Sequence, residues 1–267
     1  MANSTTWFVI INPTSGNGKC KRKWPDIEQL LVSKNFDFTY QFTTQHNHGK
    51  ELACTAIENG YRHLISVGGD GTIHNVVNGI MSQTKCPSFD VHLGVIPIGT
   101  GNDWIKSYGI SKDPSRAIHT ISKGLLEQQD IGTIELLNEE DNILYFNNLA
   151  GVGFDGLVVS KVHKYKYLGS IAYIFGALIG LTRAKNFDCI VSTPLEVRPT
   201  KALMVLAGLC RYSGGGMQLT VSSDPKDGLF DVSIAENFTA FDVLKNLPKL
   251  FNGKISRATK ITNYKTN

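Results

Sequence analysis

The chain of 267 residues has few cysteines, no long apolar run and no acid near its carboxy terminus. Its five cysteines, Cys20, Cys54, Cys86, Cys189 and Cys210, are odd in number, far apart and never paired as C-x-x-C. That spacing suggests neither a disulfide framework nor a zinc site, and a reduced, cytosolic protein is expected. No basic stretch precedes the apolar run in "MANSTTWFVIINP", which argues against a cleaved signal peptide and makes the run a first strand. The most apolar stretch, "YLGSIAYIFGALIGLT" at 167–182, falls short of the ~20 residues that a membrane-spanning helix needs. It reads as a core helix, although Lys161, Lys164, Lys166, Arg183 and Lys185 around it would allow shallow contact with lipid headgroups. Net charge is only +4, and no acid follows Asp242, whereas Lys245, Lys249, Lys254, Arg257, Lys260 and Lys265 do. Because these cations are spaced rather than clustered, they read as a solvated polar face. No interleaving of basic and aromatic residues supports nucleic-acid binding.

What is present is an ordinary globular composition, 42% apolar and 19% charged, with core enough for one large or two smaller domains. The first half alternates short apolar runs ("WFVIINP", "FDFTYQF", "HLISV", "LGVIPIG") with segments of helical spacing: about Lys23 to Lys34, "ELACTAIENG", "HNVVNGI" and "DPSRAIHTISKG". Strands alternating with helices predict a parallel sheet with right-handed crossovers, an α/β domain over residues 1–129. From about Asp130 the texture changes. "DIGTIELL", "ILYFNNLAG", "DCIVSTPLEVRP", "KALMVLAGL", "MQLTVSS" and "GLFDVSIAE" read as strands of a β-rich second domain, with a helical interruption near 160–182. A cleft between the two parts is the expected ligand site.

Three turns carry the chemistry. In "HLISVGGDGTIHNVV" a strand runs directly into Gly68, Gly69, Asp70, Gly71 and Thr72, and then into a helix. Glycine leaves no Cβ between main chain and ligand, and a helix beginning just beyond favours an anion such as phosphate. A tight connection with capping residues would look much the same. The second turn, "LGVIPIGTGNDW", repeats the pattern with Gly99, Thr100, Gly101, Asn102 and Asp103, and "INPTSGNGK" gives a third. Such turns could converge at the carboxyl ends of adjacent parallel strands, where α/β sheets bind ligands. Two look-alikes fail: "SGNGKC" lacks the Walker pattern, and "GVGFDG" at 151–156 has no acid within the following ~20 residues to hold a ribose.

Taken together, "NPTSGNGK", "VGGDGTIHNVVNGI", "PIGTGNDW", "GVGFDG", "YSGGGM" and "DPKDGLFDV" resemble, in order and spacing, the diacylglycerol kinase catalytic-domain family, especially its bacterial soluble lipid kinases. The similarity spans nearly the whole chain. It implies a nucleotide-binding α/β domain followed by a β-sandwich domain over 130–267, and ATP-dependent phosphorylation of a lipid hydroxyl, most readily diacylglycerol to phosphatidic acid. By similarity Asn12, Thr43, Gly68, Gly69, Asp70, Gly71, Thr72, Thr100 and Asn102 would hold the nucleotide. Thr43 precedes a segment that departs from the family's Gly-His-Ala-like pattern, reading Asn47-His48-Gly49, and it would otherwise be an N-cap. Asp70 and Asp103 resemble the family's paired catalytic carboxylates near the phosphates, Asp103 being also a candidate N-cap. "SSDPKDGLFD" resembles the Mg²⁺ element, with Asp227 and the backbone carbonyls of Asp224 and Leu229 as ligands; as a bare sequence it is also a hairpin-turn signal.

The resemblance further implies a lipid alcohol partner at the membrane surface, transient peripheral membrane association of a cytoplasmic enzyme, no nucleic acid, and scope for a homodimer. One element is missing: the family's late Asp-Gly-Glu, whose glutamate is thought to act as general base, is absent from a chain that ends "ISRATKITNYKTN". The second domain is therefore expected to lack its C-terminal end, or the protein to work without that base. Two alternatives stay open: an NAD kinase, and a non-catalytic nucleotide- or lipid-binding regulator.

Overall fold

A computed structural model describes residues 6–137, 143–156, 158, 185–194, 196–220 and 222–267. The apolar stretch at 167–182 and the cations Lys161, Lys164, Lys166 and Arg183 lie outside the described residues. No described helix is long and apolar enough to cross a membrane. The chain divides into two compact units: residues up to Gln128 with Gly132–Phe146, and Gln129–Ile131 with Asn147–Asn267.

The first unit is built on strands β1 (Trp7–Ile11), β2 (Phe38–Phe42), β3 (His63–Gly68) and β4 (His92–Pro97), in the order β2-β1-β3-β4. All three pairings are parallel. Because side chains alternate across a strand, β1 feeds two cores. Val9 and Ile11 face α1 (Lys19–Ser33) and α5 (Pro114–Ser122), packing with Trp24, Ile27, Leu31 and Ile118, while Ile10 faces α2 (His48–Glu58) and α3 (Asp70–Ser82), packing with Leu52, Ala56 and Val76. Burial on both faces is why these strands read as continuous apolar runs. α1 begins four residues before the expected Lys23 and takes in buried Cys20. Pro25, a residue that usually sits in a first turn, disguises that start. A short helix α4 (Trp104–Ser107) follows β4.

Strands β5 (Gly132–Glu135) and β6 (Ile143–Phe146) form an antiparallel pair in the first unit. Asn78 of α3 treats β6 as a strand would: its Oδ1 accepts from the Tyr145 N–H at 3.0 Å and its Nδ2 donates to the Tyr145 carbonyl at 2.8 Å.

The second unit is an antiparallel sheet of β7 (Leu149–Gly153), β8 (Phe187–Ser192), β9 (Val197–Gly208), β12 (Phe230–Glu236) and β13 (Ile261–Thr266), ordered β13-β12-β9-β7 with β8 also on β9. Beyond β9 a two-stranded hairpin pairs β10 (Tyr212–Ser213) with β11 (Met217–Gln218). Helix α6 (Ala240–Phe251) covers the sheet through Val243 and Leu247, which pack with Phe154, Leu203 and Phe238. The fold is thus a parallel α/β sheet followed by an antiparallel β domain. "GVGFDG" lies at the end of β7, antiparallel to β9, and not in a parallel strand-helix-strand unit.

Candidate active site

Three strands end at the same edge of the parallel sheet, and the turns that leave β1, β3 and β4 pack on one another. The register pairs Ile11 with Val67 and Gly68 with Pro97, so the first, second and third glycine turns begin side by side. Gly16, with φ +60°, lies against the carbonyl of Ile98, where any Cβ would collide. A Cβ on Gly69 would stand 2.7 Å from the Gly101 carbonyl oxygen and 3.0 Å from the Gly99 Cα. Gly69 is therefore bare first of all because another backbone lies on it. Gly71 differs: a Cβ there would meet nothing within 4 Å. Among the described residues no contact explains the absence of a side chain at this position, in the first turn of α3.

Asp70 ties two turns together. Its main-chain N–H donates to the Gly101 carbonyl at 3.0 Å. Its carboxylate accepts from the N–H of Asp103 at 2.9 and 3.0 Å and from that of Trp104 at 3.2 Å. The N-terminus of α4 is thus capped by an aspartate 33 residues earlier; Asp103, at the N-cap position, makes no side-chain cap. Instead Asp103, 2% exposed, holds the Lys106 ammonium at 2.7 Å. Burial pushes the Asp70 carboxyl above its ordinary value, the Asp103 N–H draws it back down, and the Asp103 charge adds to the rise.

The remaining candidates divide into those that build the turns and those that face outward. Asn12 donates to Thr72 Oγ1 at 3.2 Å while its own Oδ1 accepts from Thr14, and Ser15 Oγ lies 3.5 Å from the same Thr72 hydroxyl. The Thr72 side chain is buried, and a Cβ on Gly68 would collide with it. Thr43 follows β2 and donates its N–H to Ile11 at 2.8 Å; the N-cap of α2 is Asn47, so Thr43 is no cap. Thr100 is exposed. Asn102 is 7% exposed; its Nδ2 donates to the Gly99 carbonyl at 2.5 Å, and its buried Oδ1 finds no donor. An unmatched buried acceptor costs about 1–3 kcal/mol unless a ligand supplies a donor.

In the second unit Asp224, Asp227 and Leu229 share one turn. Asp227 Oδ1 accepts from the Leu229 N–H at 3.1 Å, and Oδ2 holds the Lys265 ammonium at 2.5 Å. That hydrogen bond from Lys265 pulls the Asp227 carboxyl below its ordinary value. Asp224 Oδ1 accepts from the Lys226 N–H, and Asp130 pins the turn from outside by accepting the Gly228 N–H at 2.7 Å. The turn offers the hard oxygen donors that Mg²⁺ takes, but one cation already sits on it. Among the described residues no group of three or more His, Cys, Asp or Glu is arranged to hold a metal ion.

Comparison with known proteins gives the family. The diacylglycerol kinase catalytic domain matches residues 6–134, and the YegS C-terminal NAD kinase β-sandwich-like domain matches residues 148–267. The Bacillus subtilis protein YtlR is 30% identical over 244 residues, covering 86% of this chain and 77% of that protein. The chain belongs to the diacylglycerol kinase catalytic-domain family. A relative named diacylglycerol kinase, from Staphylococcus saprophyticus, is 32% identical over 230 residues, 85% of this chain and 72% of that one. A crystal structure of a diacylglycerol kinase from Bacillus anthracis superposes with a TM-score of 0.71 at 18% identity, covering all of this chain and 85% of the other, a likeness of fold.

Membership in the diacylglycerol kinase family makes the chain a kinase, and of the lipid kind. Two residues of the candidate site escaped the sequence reading. Lys106 had a legible signal, an i,i+3 spacing from Asp103 on a helix. Ser15 had none, because its partner Thr72 is 57 residues away.

Proposed function

We propose that this chain transfers the γ-phosphoryl group of ATP, with Mg²⁺, to the hydroxyl of a lipid alcohol, diacylglycerol in the first instance, giving phosphatidic acid. Residues 1–129 would serve the nucleotide and 130–267 the lipid. The observation that carries the nucleotide half is the junction of the glycine turns: open space over Gly71, and an unmatched Asn102 Oδ1 that lies 3.8 Å from where a Gly69 Cβ would stand. A nucleotide brings what both need, phosphates for a helix N-terminus and donor groups for a buried acceptor.

The chain's own part is positioning and charge, the main currency of phosphoryl transfer. Asn12, Ser15 and Thr72 set the shape of the turns that leave β1 and β3, and Asp70 locks the turn after β3 to the turn after β4. Asp103 holds Lys106, a cation, at the start of α4. Thr100 and the Gly71 backbone face the phosphates, while Gly68 and Gly69 let the turns pack on one another. Asp227, Asp224 and the Leu229 carbonyl would hold Mg²⁺; the Asp227–Lys265 pair lies at the surface, so a divalent ion would displace it at little cost.

Diacylglycerol as acceptor follows the name of the Staphylococcus saprophyticus relative. The test is label transfer from γ-labelled Mg²⁺-ATP to diacylglycerol, sphingosine and phosphatidylglycerol in mixed micelles, with NAD as a control. Labelled phosphatidic acid is the expected product. Labelled NADP without a lipid product would turn the assignment to NAD kinase, and nucleotide binding without any transfer would turn it to a regulator.

A further inference from the structure

Helix α6 has two apolar sides. The inner one, Val243 and Leu247, is packed against the sheet. On the outer one Phe241 is 71% exposed, Leu244 46% and Phe251 39%, with exposed Pro248 among them. At about 100° per residue these four fall within an arc of roughly 80°, and Lys245 and Lys249 continue that arc on one flank. Lys254 and Arg257 follow in the next turn of chain. None of these four cations has an ion-pair partner among the described residues. From Ala240 onward the single acid is Asp242, and it is bound to Lys260 at 2.6 Å and to Thr239. A helix that merely covers a sheet presents a polar outer face. This one presents aromatic and aliphatic side chains edged by unpaired lysines.

We propose that the outer face of α6 docks on an anionic lipid bilayer. An apolar stripe beside a basic one is the composition of a helix lying in the plane of a membrane interface. Phe241, Leu244 and Phe251 enter the acyl boundary, while Lys245 and Lys249 lay their stems along it and keep their ammonium groups at the phosphates. Charge disfavours the same face of a second copy as the occupant, since α6 against α6 would set four unpaired cations against four. That the acidic partner is a bilayer and not an acidic protein rests on the lipid-kinase reading above. The face is held rigid at its far end, where Gln218 of the β10–β11 hairpin donates to the Phe251 carbonyl at 3.1 Å and accepts from Arg211 at 2.8 Å.

Co-sedimentation of the full chain with vesicles, in the absence of nucleotide, tests this. Wild type should partition to phosphatidylcholine–phosphatidylglycerol vesicles, less so at high salt and weakly to phosphatidylcholine alone. K245E/K249E should lower that partition roughly tenfold or more, at about fivefold for each lysine near an anionic leaflet. F241S/L244S should lower it comparably with an unchanged thermal midpoint; should that variant unfold, the surface lysine pair still decides the matter. Wild-type indifference to anionic vesicles, or wild-type partition in either variant, overturns the proposal. So does a wild-type dimer that F241S/L244S dissociates. Phosphate transfer to a short-chain, bilayer-free diacylglycerol should persist in both variants. Transfer absent from every protein, with vesicle binding intact, would remove the kinase reading and leave the docking surface standing.

Discussion

Asp70 carries a charge and a tether, and substitution can separate them. Asn keeps an oxygen to accept from Asp103 and Trp104 but removes the charge, so Asp70→Asn should lower phosphoryl transfer by about two orders of magnitude or more with the turn after β4 still in place. The same variant has a pH signature. Because the folded Asp70 carboxyl holds its proton more tightly than the unfolded one, wild type loses stability as pH rises from about 4 to the raised folded value, and nothing more above it. Asp70→Asn lacks that loss, so urea unfolding should show it gaining on wild type with rising pH through this window; a gap that widens towards acid would contradict the burial of Asp70. Gly71→Leu is the companion test. Leu is a better helix former than Gly by roughly 0.5–1 kcal/mol, and its Cβ meets no neighbour, so stability should hold or rise. Nucleotide affinity, measured by calorimetry, should fall tenfold or more. Gly69 cannot serve this purpose, because its side chain would strike Gly101 whether or not a nucleotide binds there.

At the scale of elements, α6 is fastened at its start by a reciprocal cap. Thr239 Oγ1 accepts from the Asp242 N–H at 3.2 Å, and the Asp242 carboxylate accepts from the Thr239 N–H at 2.8 Å. Thr239→Ala should cost about 1 kcal/mol in denaturant unfolding. The elements also show how far the sequence could be read. β1, β3 and β4 were legible because burial on both faces makes them unbroken apolar runs, and the glycine turns were legible because glycine recurs wherever backbones meet. "ILYFNNLAG" reads as one strand but is two, β6 and β7, parted at Asn147 and Asn148. "MQLTVSS" contributes only Met217 and Gln218 to β11. β13, "ITNYKT", carries too few apolar residues to announce a strand; it exists because β12 offers a ladder from Phe230 to Ala235. In the candidate site, residue types and spacing disclosed the turns but not their wiring. That Asp70 caps α4, or that Lys265 sits on Asp227, depends on contacts across 33 and 38 residues that no local pattern encodes.

For the molecule as a whole, two thiols serve as independent reporters. All five cysteines are free, and Cys20 in the first unit and Cys210 in the second are buried. Burial pushes the Cys20 thiol up to about 12, so it is neutral and shielded at ordinary pH. Alkylation at pH 8 followed by peptide mapping should therefore modify Cys54, Cys86 and Cys189 in the native protein and reach Cys20 and Cys210 only as their units open; rapid native labelling of Cys20 would contradict the packing of α1. Reductant should leave the unfolding midpoint unchanged. The strand order has a consequence for synthesis. β1, the first strand of this sheet to emerge, is an interior one, flanked by β2 and β3, while β4 completes the order from residues 92–97. A nascent chain must therefore hold Val9, Ile10 and Ile11 without their second neighbour until β3 ends at Gly68, at ~5–20 residues per second a wait of several seconds. The amino-terminal strand is thus where a ribosome-associated holdase has most to protect.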